Sequence, residues 1–221
     1  MATNSRNEPI SVVVVGDTCI SERGMASIVA DDKRYFVSGS AHSFAGANTL
    51  IRKNPPELLL IEPFMQGTDG IRWIRELTKE FPQMRILVVS RQAEEMYAER
   101  ALRAGAGGYW MKNSSIPNLM NAINIVLSGE IYVSPTITSL AVNQLAGRSK
   151  QGPNALNILS DRELAVFTLI ASGHGNTLIA NRLGISRKTV ETHCEHIKHK
   201  LGYGNAEALK RGARESLGSL S

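Results

Sequence analysis

Short apolar runs of strand length, separated by stretches of helical period, constrain this chain more than any other feature. Residues 12–15 are four consecutive valines, and residues 58–61 read Leu-Leu-Leu-Ile. Neither run alternates with polar residues, so both faces of each strand need covering, as in a parallel sheet with helices on both sides. The pattern recurs. Strands are predicted at 12–15, 35–38, 57–61, 85–89 and 108–111, each followed by a helical pattern at 20–30, 43–52, 71–80, 94–104 and 116–127. Five β/α repeats in about 120 residues predict a doubly wound, parallel, five-stranded α/β domain. A further helical segment at 136–145 reads as a connector. The stretch GRSKQGPN at 147–154 has linker composition. The expected organisation is a tail at 1–9, the α/β domain at 10–130, a connector helix and linker at 131–155, and a small all-α domain at 156–221.

The last third has no strand signal. Ser160-x-x-Glu163 is a capping box, with Leu159 and Leu164 placed for a hydrophobic staple. That helix runs to Ala171 and stops at Ser172-Gly173. A second, at about 177–183, ends at Gly184, and Ser186 caps a third that runs to Leu201 and stops at Gly202. A fourth starts near Asn205. Two helices joined by a short turn containing glycine are the signature of a helix-turn-helix.

The third helix has two faces. At 100° per residue, Val190, Cys194, Ile197 and Leu201 fall within about 60° of one another and form an inward stripe. The opposite face carries Lys188, Thr192, Glu195 and His199, flanked by Glu191 and His196. Such a helix fits a major groove: lysine and threonine suit phosphates and bases, and glutamate accepts from cytosine N4. An ordinary solvated face is the alternative. The distribution of charge favours the groove. The net charge is +5, and residues 148–221 hold eleven Lys and Arg against six Asp and Glu, so they carry all of the excess.

Other classes fit less well. No apolar run approaches the 18 residues of a membrane span, and the first residues, MATNSRNEP, lack the apolar core of a secretory leader. Cys19 and Cys194 are far apart and read as reduced thiols. A cytoplasmic protein is expected. There is no GxGxxG or Walker loop and no convincing triad, so no enzyme is expected. His193, Cys194, His196 and His199 invite a metal, but His199 points about 120° away from His193, and no ligand set closes without a second element. Those residues are read as structural.

The segment from Leu159 to Gly202 resembles the LuxR-type helix-turn-helix of bacterial transcription regulators. The resemblance lies in its LS-x-RE opening, IA-x-x-LGIS turn, TV-x-x-H and closing KLG. It implies contacts to double-stranded DNA from Arg187, Lys188, Glu191, Thr192, Glu195 and Lys198. Some relatives carry basic residues where Glu191 and Glu195 stand. The N-terminal part is similar to the receiver domain of FixJ-like response regulators, which implies the flavodoxin-like strand order 2-1-3-4-5 with a site beyond strands 1 and 3.

In that family, strand 1 ends in two acidic residues that hold Mg²⁺, strand 3 in the phosphate-accepting aspartate, strand 4 in Ser or Thr, and strand 5 leads to a lysine. Here Gly16 and Asp17 occupy the acidic pair and Glu62 the acceptor. Gln66 stands where proline is usual, and Ser90, Lys112 and the switch aromatic Tyr109 match. The resemblance implies a degenerate receiver with weak or absent Mg²⁺ binding and no other cofactor. Glu62 is expected to reach toward Lys112 and Ser90, biasing the receiver toward its active arrangement without a phosphoryl donor. A receiver locked inactive or governed by a partner protein is the competing outcome. The expected protein is a homodimeric, sequence-specific transcription regulator. The alternatives are a conventional phosphorylated regulator, served by a sensor kinase, or an interaction protein that has lost DNA binding.

Overall fold

The computed structural model describes residues 8–65, 70–147 and 155–218. The chain divides into two compact units, one running to Ile137 and the other starting at Thr138. The first unit alternates strand and helix: β1 (Ile10–Val15), α1 (Cys19–Ala30), β2 (Tyr35–Ala41), α2 (Phe44–Lys53), β3 (Leu58–Ile61), α3 (Gly70–Glu80), β4 (Arg85–Ser90), α4 (Glu94–Arg103), β5 (Gly108–Met111) and α5 (Ile116–Leu127). The five strands form one parallel sheet in the order β2-β1-β3-β4-β5. Both the strand count and the order are those expected.

The valines of β1 explain the centre of this sheet. Val12–Val15 pair with Leu58–Ile61 on one side and with β2 on the other. All eight of these Val, Leu and Ile side chains are essentially inaccessible. Each buried side chain of this size stabilises the fold by about 1.5–3 kcal/mol. The helices cover the two faces with apolar stripes, such as Ile71, Ile74 and Leu77 on α3 and Leu119, Ile123 and Val126 on α5.

Several parts of the first unit extend beyond their sequence-predicted limits, β1 starting at Ile10 and β4 ending at Ser90. The second strand continues past Ser38 to Ala41, because Val13–Val15 pair with Gly39–Ala41 after a register shift. Its polar Ser38-Gly39-Ser40 carries no apolar signal. The first unit also continues past residue 130. Tyr132 donates its N–H to the Gly107 carbonyl at 3.0 Å and accepts from the Tyr109 N–H at 2.9 Å, so it caps the open edge of β5.

Helix α6 (Pro135–Leu145) crosses the boundary between the units, and most of the predicted linker lies outside the described residues. After a short 3-10 helix (Ala155–Ile158) come α7 (Asp161–Ala171), α8 (Asn176–Leu183), α9 (Arg187–Leu201) and α10 (Ala206–Gly218). The capping box forms: the Ser160 Oγ accepts from the Glu163 N–H at 3.3 Å, and Glu163 Oε2 accepts from the Ser160 N–H at 2.7 Å. Leu159 and Leu164 are both buried. Ser186 caps α9, and Asn205 accepts from the Ala208 N–H at the start of α10. Helix α9 packs on α7 and α8, and α10 packs on α7. On the predicted inward stripe of α9, Val190 and Ile197 are fully buried, whereas Cys194 and Leu201 are only partly covered.

Gly184 sets the turn between α8 and α9. Its φ of 61° and ψ of 36° lie in the left-handed region, which costs an L-residue about 1–2 kcal/mol. Gly24 is the opposite case: it sits within α1 with open space around it. Gly184→Ala should therefore destabilise the helical unit by about 1–2 kcal/mol in denaturant followed by circular dichroism. Gly24→Ala should stabilise the first unit by about 0.5–1 kcal/mol, followed by the fluorescence of Trp73 and Trp110. An unchanged midpoint in Gly184→Ala would contradict this assignment of the turn.

Candidate functional site

The sheet order brings the carboxyl ends of β1 and β3 together, since Val15 pairs with Ile61. The Glu62 N–H donates to the Val15 carbonyl at 2.9 Å, placing Glu62 immediately beyond the strand ends. On the other side, the Lys112 N–H donates to the Ser90 carbonyl at 2.8 Å and fixes the exit of β5 beside that of β4. Phe64, two residues after Glu62, packs edge-on against Tyr97 of α4 with ring centroids 4.5 Å apart. Four of the sequence-predicted receiver residues, Glu62, Ser90, Tyr109 and Lys112, thus gather at one end of the sheet, with Asp17 at the same end after β1.

Lys112 Nζ lies 2.5 Å from Glu62 Oε1. The side chains are 17% and 7% exposed, so the pair is largely shielded from solvent. Ser21 bridges it, donating its hydroxyl to Glu62 Oε1 and accepting from Lys112 Nζ at 2.5 Å. Ser21 reaches the pair from the first turn of α1, where its N–H donates to the capping Thr18 hydroxyl at 3.2 Å. Burial pushes the Glu62 carboxyl above the usual carboxylate range, while the hydrogen bonds from Lys112 and Ser21 pull it the other way.

The expected reach of Glu62 toward Lys112 is present, but its described partners do not include Ser90. Ser90 is buried and accepts from the Gln92 N–H at 3.0 Å. Tyr109 is fully buried and donates its hydroxyl to the Gln92 carbonyl at 2.9 Å. Burial raises its phenol far above the ordinary value. Both side chains thus hold the backbone at Gln92.

The acidic-pair positions differ from one another. Asp17 is 3.9 Å from the exposed Arg91 guanidinium. Gly16 has no room for a side chain: a Cβ there would fall 2.5 Å from the Glu22 nitrogen and 2.8 Å from its Cα. The backbone of α1 therefore occupies the space beside Gly16. The Glu22 carboxylate turns away, to the Ser40 hydroxyl and to His42 at 3.6 Å. Among the described residues, no third His, Cys, Asp or Glu joins Asp17 and Glu62 in a metal-sized group.

In the helical unit, the six predicted contact residues lie along α9. Arg187 and Glu191 pair at 3.1 Å, and Lys198 and Glu195 at 2.9 Å. Each glutamate thus offsets one cation of the helix. The Lys198 side chain is only 19% exposed, so its ammonium is held against the protein. Thr192 donates to the Lys188 carbonyl at 3.1 Å. Lys188 is exposed and has no ion-pair partner among the described residues. Arg182 on α8 and Lys210, Arg211 and Arg214 on α10 are also exposed and basic, and had no place among the predicted contacts. A separate group forms between α7 and α9, where Glu163, His193 and His196 converge. No helix among the described residues is long and apolar enough to cross a membrane.

Comparison with known proteins agrees with both halves. Residues 12–124 match the response regulator receiver domain, and residues 157–212 match the bacterial regulatory proteins of the luxR family. The oxygen regulatory protein NreC of Staphylococcus carnosus is 32% identical over 197 residues, covering 87% of this chain and 91% of that protein. Its Staphylococcus aureus counterpart is 33% identical over 198 residues, with the same coverage. Among solved structures, RcsB of Salmonella enterica serovar Typhimurium bound to the promoter rprA aligns with a TM-score of 0.64 at 22% identity, over 92% of this chain and 98% of that one. The response regulator ChrA of a heme-sensing two-component system aligns with a TM-score of 0.51 at 27% identity, over 96% and 99%. The chain therefore belongs to the luxR family of bacterial regulatory proteins, as a response regulator with a receiver domain ahead of a helix-turn-helix, and is a regulator rather than an enzyme.

Proposed function

We propose that this protein is a cytoplasmic, sequence-specific, DNA-binding transcription regulator whose receiver is not switched by conventional aspartyl phosphorylation. The observation that carries the second half is the buried contact of Lys112 with Glu62 at 2.5 Å, bridged by Ser21. A phosphoryl acceptor must present a free carboxylate in line with the donor, next to a cation that neutralises the transferred oxygens. Glu62 carries one more methylene than aspartate, and displacement by about 1 Å costs on the order of 100-fold in rate. Its carboxylate is already neutralised by Lys112.

The residues present do not fit Mg²⁺. That ion takes near-octahedral oxygen ligands, and here Asp17 faces Arg91, Glu62 is held by Lys112, and the place beside Gly16 is filled by α1. Glu62 and Lys112 instead hold one receiver arrangement permanently, as a protein-supplied substitute for the charge that a phosphoryl group would bring. A sensor kinase has no acceptor to use here, and any input through the receiver comes from a binding partner.

Helix α9 carries the DNA reading. RcsB, which shares the fold, is known bound to a promoter, and two RcsB dimers are known on two parallel DNAs. By likeness, this chain presents α9 to the major groove and acts as a homodimer, since one helix reads only a few base pairs. Lys188, which has no ion-pair partner among the described residues, meets phosphate or a base edge. Glu191 and Glu195 weaken nonspecific attraction by offsetting Arg187 and Lys198. Sequence preference then rests on base contacts, with cytosine N4 the natural donor to an exposed glutamate.

Two measurements test these readings. Incubation with acetyl phosphate and Mg²⁺, followed by intact mass, should leave the protein unmodified. A stoichiometric adduct of about 80 Da, lost in Glu62→Gln, would refute phosphorylation independence. For DNA, a gel-shift titration against genomic fragments should give affinity that falls steeply with salt and a footprint spanning two half-sites about one helical turn apart. Lys188→Ala should lower the salt slope by about 1, and Glu191→Gln should tighten binding to arbitrary sequence by releasing Arg187. Salt-insensitive binding, or an unchanged Lys188→Ala variant, would remove α9 from the groove.

A further inference from the structure

The second unit contains a donor set that neither the receiver nor the groove-facing side of α9 uses. Glu163 rises from the first turn of α7, and His193 and His196 lie three residues apart on α9, which packs against it. One ligand atom from each of the three lies within 4.8 Å of the others. The sequence pointed to no metal because α9 alone cannot close a ligand set. The fold supplies the missing third ligand from a residue thirty positions earlier.

The state of each donor is informative. Oε2 of Glu163 is engaged by the Ser160 N–H at 2.7 Å and by Lys200 Nζ at 2.6 Å. Oε1 faces His196 Nδ1 at 3.7 Å, too far for a hydrogen bond. The Nδ1 atom of His193 is buried without a hydrogen-bond partner among the described residues. A buried, unsatisfied ring nitrogen is unfavourable by about 1–3 kcal/mol and calls for a partner.

We propose that Glu163, His193 and His196 form a binding site for a divalent transition-metal ion of the zinc class, tying α7 to α9. Two imidazoles and one carboxylate are a zinc-type donor set with a fourth position left for water, whereas Mg²⁺ and Ca²⁺ prefer oxygen alone. Tetrahedral zinc brings its ligand atoms to about 3.4 Å from one another. The set therefore contracts on binding. The His196 side chain is 60% exposed, which leaves its ring room for that movement. Lys200 stands on the other oxygen of Glu163 and repels the ion, which limits the affinity without blocking Oε1. Zinc at this position would place positive charge against the recognition helix and fix it to the helix that opens the domain.

The test is calorimetric titration of the full chain, carrying no histidine tag, with zinc chloride and with magnesium chloride as control. One zinc per chain is expected, no binding of magnesium, and affinity that falls as pH is lowered through the histidine range. His196→Ala, an exposed change that spares the fold, should weaken zinc at least about tenfold, and His193→Gln should do the same. Cobalt(II) should give visible d–d absorption without a thiolate charge-transfer band, because neither Cys19 nor Cys194 is a ligand. No saturable zinc binding at micromolar concentrations, binding unchanged in His196→Ala, or binding lost in Cys19→Ser or Cys194→Ser would each overturn the proposal.

Discussion

The ion pair between Lys112 and Glu62 is the interaction around which the receiver is arranged. Removing two charges from water is costly, and the pair persists because its geometry is close and Ser21 satisfies a further hydrogen bond. Breaking such a pair from one side leaves a buried charge without a partner, at about 3–5 kcal/mol. The strands bring the two groups together: β1 and β3 end side by side, and β5 leaves the sheet next to β4. Ser21 ties the first turn of α1 into the same contact, and the α1 backbone in turn fills the space beside Gly16. Glu62 and Gly16, the two positions that differ from the family pattern, are thus parts of one packed arrangement.

The helical unit shows a parallel economy of charge. The segment has a net positive charge, yet on α9 three of the cations, Arg187, Lys198 and Lys200, are paired with glutamates. Lys188 is exposed at the amino-terminal end and has no ion-pair partner among the described residues. Further exposed basic residues stand on α8 and α10, at Arg182, Lys210, Arg211 and Arg214, with Glu207 and Glu215 also on α10. Lys200 and Ser160 hold one oxygen of the capping Glu163 of α7 and leave the other facing His196 of α9.

Legibility in the sequence followed the physics of each element. The strands of the sheet centre were readable because full burial demands unbroken apolar runs. The helix-turn-helix was readable because caps and left-handed glycines are local signals. The second half of β2 was not, since Ser38, Gly39 and Ser40 enter the sheet only through pairing with β1. Tyr132 likewise joins the edge of β5 by two backbone hydrogen bonds that no side-chain pattern announces. Within the receiver pocket, Glu62 and Lys112 were placed by position after a strand. Ser21 was missed because its role depends on how the first turn of α1 faces the strand ends. Lys198 was counted with the groove-facing residues, yet most of its side chain is covered beside Glu195. The convergence of Glu163 with His193 and His196 spans thirty residues and two helices, so only the packing of α7 on α9 reveals it.

The most direct measure of whether Glu62 and Lys112 act as one built-in unit is a double-mutant cycle. Glu62→Gln, Lys112→Met and the double variant are compared with the parent in urea, followed by tryptophan fluorescence. Both tryptophans lie in the receiver. Each single change should destabilise the receiver markedly, and the double variant should recover much of the loss, giving an interaction free energy of about 1–3 kcal/mol. Additive effects within about 0.3–0.5 kcal/mol would mean that the two groups do not hold each other, and would contradict a receiver fixed by its own side chains.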